Sequence, residues 1–163
     1  MIGQQRKTPS KPRPGARAYG RTSSVSPILY GRGETVLLLE SNRTLRKLGK
    51  TLLEKLNYHA LTASRSDEIL SVCRTTRIDL LIVDATLPGR CGQSLLAGVR
   101  ELRPAVRCLY SSVFENLQDL ECCQSEAADS VVLLKPYTVR SFSQAIKQGL
   151  LGGAREESAT AGL

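Results

Sequence analysis

The chain has 163 residues, with 23 Lys or Arg against 15 Asp or Glu and a formal charge of +8. Seven of the basic residues and no acid lie in positions 1–33, so the rest is close to neutral and charge excludes a basic nucleic-acid-binding domain. No apolar run reaches the ~18–20 residues of a membrane helix, no apolar core follows the N-terminal charge as a secretory signal requires, and the single histidine, His59, excludes any site built on two.

Residues 1–33 are rich in Pro, Gly, Ser and Arg, and Pro9, Pro12 and Pro14 deny them a regular helix. They are predicted as a disordered basic tail. Three roles fit that composition: a plain linker, a weak contact for nucleic acid or anionic lipid, and a transit peptide. From Glu34 the texture changes. Val36-Leu37-Leu38-Leu39 is a continuous apolar run, as expected of a strand buried on both faces. Leu45, Leu48, Leu52, Leu53 and Leu56 then recur at helical spacing. Residues 58–63 form a weaker strand that carries His59, expected to be partly exposed.

A short helix through Ile69, Leu70 and Cys73 is predicted to be capped by Ser64 and Asp67. Leu80-Leu81-Ile82-Val83 is a buried strand ending at Asp84, and Pro88, Gly89 and Gly92 mark a loop. Leu95, Leu96, Val99 and Leu102 line a helix that stops before Pro104, and residues 106–111 form the fourth strand. Residues 115–127 are read as a helix, 131–134 as the fifth strand, and Phe142, Ile146 and Leu150 as the apolar stripe of a last helix. Residues 151–163 read as a flexible C-terminal tail. Five cysteines (Cys73, Cys91, Cys108, Cys122, Cys123), odd in number and without C-x-x-C spacing, read as free thiols of a reducing compartment.

Five successive βα units with wholly apolar strands imply an α/β fold: a doubly wound, five-stranded parallel sheet over residues 34–150. Ligands of such sheets sit beyond the carboxyl ends of the strands, near the point where strand order reverses. The residues there are Glu40 and Ser41, Asp84, Ser112, and Lys135 with Pro136. Two neighbouring carboxylates attract a hard cation such as Mg²⁺. A carboxylate in that setting also serves as a nucleophile toward phosphorus, while a hydroxyl and an ammonium offset phosphoryl charge.

On these residues the chain resembles the receiver domains of bacterial two-component response regulators. The stretches that carry the resemblance are GETVLLLESNRTLRK (33–47), IDLLIVDATLPGRCG (78–92), CLYSS (108–112) and LLKPY (133–137). The first and last look most like the receivers at the C-terminus of hybrid sensor histidine kinases. The resemblance implies a flavodoxin-like (βα)5 fold with Asp84 as phosphoacceptor and Ser112 as a switch hydroxyl. Lys135 would be the phosphate partner, and Lys135-Pro136 a cis peptide. Glu40, Asp84 and the Thr86 backbone carbonyl would be the Mg²⁺ ligands.

Three positions depart from that pattern. Ser41 replaces the second of two adjacent acids, so Mg²⁺ binding is expected to be weak, and Ser41 offers an N-cap for the first helix instead. Val113 follows the switch hydroxyl where Ala or Gly is usual, and Val132 takes the aromatic switch position, whereas Tyr137 matches a common aromatic one.

The expectation is a single-domain, cytoplasmic response regulator. It takes phosphate from a histidine kinase or phosphotransfer protein and signals by protein contact through the helix at 115–127, the fifth strand and the last helix. No membrane partner is expected, nor nucleic acid beyond weak contact through the tail. It is not an enzyme beyond self-phosphorylation and self-dephosphorylation. The alternative is a pseudo-receiver, an interaction module that works without phosphorylation.

Overall fold

The computed structural model describes residues 18–19, 26–85, 91–113 and 131–152. The five predicted strands are present as β2 (Thr35–Leu39), β3 (His59–Ala63), β4 (Leu80–Asp84), β5 (Arg107–Val113) and β6 (Val131–Lys135). A two-residue strand, β1 (Ala18–Tyr19), precedes them. All pair in parallel in the order β1-β6-β5-β4-β2-β3. Strand order reverses between β2 and β4, so the segments leaving these two strands flank the switch point. The helices are α1 (Arg43–Lys55), α2 (Ser66–Thr75), α3 (Cys91–Leu102) and α4 (Val139–Leu151). The helix expected at 115–127, the Cys122-Cys123 pair, Thr86 and the tail beyond 152 lie outside the described residues.

The pleat sorts each strand's apolar run to two faces, because successive side chains alternate. Leu37, Leu39, Leu81, Val83, Tyr110 and Val132 pack with Ile69 and Cys73 of α2 and with Leu95, Leu96 and Val99 of α3. Val36, Leu38, Leu80, Ile82, Leu109, Val131 and Leu133 pack with Leu53 of α1, with Leu56 and with Phe142, Ala145 and Ile146 of α4. Burial on both faces is why these strands read as unbroken apolar runs rather than as alternation.

Helix α1 turns differently from the reading of its leucines. Leu53 is buried and Leu56 follows it inward, but Leu45 and Leu48 are 43% and 52% exposed. Gly49 decides this. A Cβ there would stand 2.5 Å from Leu38 Cδ2, so the bare backbone of α1 lies against the sheet at that point. Capping differs as well. The N-cap of α1 is Asn42, not Ser41, and its Oδ1 accepts from the Thr44 and Leu45 amides at 2.9 and 3.1 Å. Helix α2 has Arg65 at its N-cap with no side-chain cap. Ser64, predicted as the cap, instead bonds Glu68 through its amide and hydroxyl, both at 2.8 Å.

The largest difference concerns residues 1–33. Part of that stretch, read as disordered, is placed on the domain: Ala18–Tyr19 as an edge strand, and residues 26–33 along α4 and the end of α1. Gly31 is buried and its N–H donates to Leu56 O at 2.7 Å. A few well-placed backbone hydrogen bonds hold a segment whose apolar content is too small to predict burial.

Beside it lies Tyr58, buried, its Oη without a hydrogen-bond partner among the described residues. Burial, with the charge of Glu34, pushes the phenol up to about 12. Unfolded chains ionise a tyrosine near 10, whereas the native phenol stays neutral until about 12. Wild-type stability is therefore intact below pH 10 and falls as pH rises from there through 12. A buried hydroxyl without a partner costs roughly 1–3 kcal/mol. Tyr58→Phe should thus be at least as stable as wild type at pH 7 and should lack this component of the alkaline loss, as read by urea unfolding across pH 7–12.

Candidate functional site

Parity carries the three charged residues to one place. Glu40 continues the Val36–Leu38 side of its segment, Asp84 the Leu80–Ile82 side of β4, and Lys135 the Val131–Leu133 side of β6. All three emerge at the carboxyl edge of the sheet, on the face of α1 and α4. There Lys135 Nζ donates to Asp84 Oδ2 at 2.9 Å and to Glu40 Oε2 at 3.0 Å. Both acids are only 5% exposed. Asn42 N–H donates to Glu40 Oε1 at 2.9 Å, so the residue that caps α1 also fixes this carboxylate.

Burial pulls the Lys135 ammonium toward lower pKa, but hydrogen bonds and charge from Asp84 and Glu40 more than offset it, and the net shift is upward from 10.5. Lys135 is a firmly held cation. The peptide to Pro136 is cis, and Tyr137 then stacks on Phe142 of α4 with ring centroids 5.0 Å apart.

Ser112 is wholly buried, and its hydroxyl donates to Val113 O at 3.1 Å. Register pairs Asp84 with Ser111, so Ser112 stands one residue further along β5, and the pleat turns it to the face of Tyr110, Val132 and Leu134. The structure therefore brings Glu40, Asp84 and Lys135 together and leaves Ser112 adjacent, with its hydroxyl engaged locally. Val132 is core and Val113 is 37% exposed, in register with Lys135. His59 is exposed at the start of β3, as its place in the sequence suggested.

Two contributors were not singled out in the sequence. Ser111 is a buried hydroxyl residue directly across from Asp84. Counting in twos from Leu109 would have put it on the acid's face. Arg46 Nη1 donates to the carbonyls of Glu40 and Ser41 at 2.8 and 3.0 Å, setting a guanidinium on the loop that carries the first acid.

The donor chemistry suits a hard cation, though thinly. Asp84 and Glu40 supply carboxylate oxygens, but Ser41 adds only an exposed hydroxyl, and Lys135 and Arg46 already bring two positive charges. No group of three His, Cys, Asp or Glu side chains able to hold a metal occurs among the described residues.

Doubly wound parallel sheets bind their ligands beyond the carboxyl edge at the switch point, which is where this chain sets an acidic pair and a lysine. Comparison with known proteins narrows this. Residues 36–147 match the family described as the response regulator receiver domain, and the chain belongs to that family. It is 37% identical over 65 residues to the sensor histidine kinase AruS of Pseudomonas aeruginosa, covering 40% of this chain and 6% of that one. It is 26% identical over 116 residues to the probable transcriptional regulator ycf27 of Cyanidium caldarium, covering 71% of this chain and 46% of that protein. The chain thus spans less than half the length of these curated relatives.

Among solved structures, a receiver domain from Clostridium thermocellum superposes with a TM-score of 0.63 at 26% identity, over 72% of this chain and 94% of that one. A CheY-like receiver from Methanospirillum hungatei gives 0.63 at 22%, over the same shares, and shares the fold. Receiver domains act in two-component signalling with histidine kinases or phosphotransfer proteins. No helix among the described residues is long and apolar enough to cross a membrane.

Proposed function

We propose that the protein accepts a phosphoryl group on Asp84 from a phosphohistidine of a kinase or phosphotransfer protein. The observation that carries this is Lys135 Nζ standing 2.9 Å from Asp84 and 3.0 Å from Glu40 at the carboxyl edge of the sheet. A carboxylate oxygen of Asp84 attacks phosphorus, the P–N bond of the donor breaks, and the imidazole leaves with the electron pair. The acyl phosphate adds negative charge at the spot where Lys135 already points, so the ammonium moves from pairing two carboxylates to pairing phosphoryl oxygen.

In this reading Ser112 is the switch hydroxyl that would give up Val113 O for a phosphoryl oxygen, linking the site to the β5–β6 face. Asp84 and Glu40 would hold Mg²⁺, with the Thr86 carbonyl completing the set expected from the family. The ion, when bound, supplies charge neutralisation for the phosphoryl oxygens. Catalysis is confined to gaining and losing this group. The exchange is placed in the cytoplasm, a compartment in which a buried thiol such as Cys73 stays reduced.

The pseudo-receiver reading has its own support. Ser41 withholds the second acid, Ser112 is already satisfied by Val113 O, and Val132 is fixed in the core where an aromatic switch would move. Incubation with a small acyl phosphate and Mg²⁺, followed by intact mass measurement, separates the two. The proposal expects one phosphate-mass adduct on wild type and none on Asp84→Ala. A wild type that stays unmodified at high Mg²⁺ supports the pseudo-receiver.

A further inference from the structure

The solvent side of α1 is apolar and basic at once. Leu45, Leu48 and Leu52 follow one another at i, i+3 and i+7, so they form one stripe along the helix. Leu45 and Leu48 are exposed, and Leu52 is half-buried. Gly49 takes the position against Leu38 that a larger residue would need, so the leucine stripe runs beside the buried face rather than within it.

Charge is added along the same helix. Lys50 pairs with Glu54, the one acid of α1, at 3.8 Å. Arg43, Lys47 and Lys55 are exposed and make no ion pair among the described residues. By helical spacing Lys55 continues the stripe three residues beyond Leu52, and Thr44, Lys47 and Thr51 border it on the solvent side. Lys50 and Glu54 fall on the far flank. No acid stands in the first turn, where the helix dipole adds positive potential of its own.

We infer that this face of α1 docks on an anionic lipid surface. Its two components select that occupant. A nucleic-acid backbone would take the cations and leave the leucines in water. Protein interfaces concentrate aromatic residues, Met and Arg at their centres and are poor in Lys. Here the stripe is all leucine, and the unpaired cations that border it, Lys47 and Lys55, are lysines. An anionic bilayer takes both: leucines enter the headgroup boundary while lysine stems lie along it and their ammonium groups reach the phosphates. The chain's charge of +8 favours approach to such a surface, and the stripe decides which face touches it. Read as core, these leucines offered no reason to expect a membrane partner; their exposure supplies one. The inference does not depend on phosphorylation of Asp84.

The test uses the full chain with vesicles of phosphatidylcholine alone and with vesicles in which about 30 mol % is phosphatidylserine. Wild type should sediment with the mixed vesicles and not with the neutral ones, and added salt should release it. Leu45→Gln with Leu48→Gln, and separately Lys47→Glu with Lys55→Glu, should each weaken binding about tenfold or more. Urea unfolding of both should stay close to wild type, since all four side chains are exposed. The chain has no tryptophan, so Leu48→Trp adds a single reporter whose emission should shift to the blue on the mixed vesicles. Wild type that ignores the mixed vesicles would overturn the inference. So would binding that survives either double variant, or an unshifted emission from bound Leu48→Trp, since each assigns the contact to another part of the chain. An acidic helical peptide that binds wild type where the vesicles do not would assign the face to a protein partner and overturn it as well.

Discussion

Lys135→Ala should lose about 3–5 kcal/mol of stability at pH 7, because it leaves two buried carboxylates facing each other without their shared cation. The ammonium lies within 3.0 Å of both acids, each only 5% exposed, so water cannot take over its role without opening the edge of the sheet. Urea unfolding of variant and wild type gives the difference.

Alkali erodes this difference by discharging the ammonium in the wild type. The native ammonium has a pKa raised above 10.5, so its contribution is fully present below that value and is lost as pH rises through the native one. The wild-type advantage over Lys135→Ala should therefore be flat from neutral pH to about 10 and then fall. An advantage that ignores alkaline pH would mean that the ammonium does not hold the acids together.

Ser41→Asp should tighten Mg²⁺ binding tenfold or more, about 1.4 kcal/mol. Ser41 is exposed between Glu40 and the Asn42 cap, so a carboxylate enters there without displacing core or cap. It adds a third acid to a set of two whose charge Lys135 and Arg46 already offset. Titration calorimetry of the two proteins with Mg²⁺ measures the change. Equal affinities would show that the missing acid is not what weakens the site, and would turn attention to Arg46.

The parts of the molecule that were legible in its sequence are those where one physical demand acts alone. Strands buried on both faces must be apolar throughout, so 36–39, 80–83 and 131–134 declare themselves, and the first polar residue after each run marks the carboxyl edge. That is why Glu40, Asp84 and Lys135 stand out. The parts that were not legible are those where several residues satisfy the same demand. Four leucines on α1, with Leu56 at its C-cap, exceed the width of one buried stripe, and the choice among them falls to Gly49, whose missing side chain admits Leu38.

Ser41 and Asn42 are both acceptable caps, and geometry selects Asn42. Ser111 and Ser112 are adjacent hydroxyls. The alternation that follows from Leu109 separates them, and the register confirms it by setting Ser111 across from Asp84 while Ser112 faces Val132. The arm escaped notice because its own backbone makes the attachment, to backbone groups and to the Asn57, Ser143 and Gln144 side chains, beside one close-packed glycine, and these leave no apolar pattern.

On the proposed function, Asp84 is the chemically reactive carboxylate of this site. Borohydride reduces an acyl phosphate to an alcohol and so marks the residue that carried it. After treatment with a small acyl phosphate and Mg²⁺, peptide mass spectrometry should find that reduced residue at position 84 and at no other acid. A reduced residue at Glu40 or elsewhere, or none in protein that remains folded, would contradict the account.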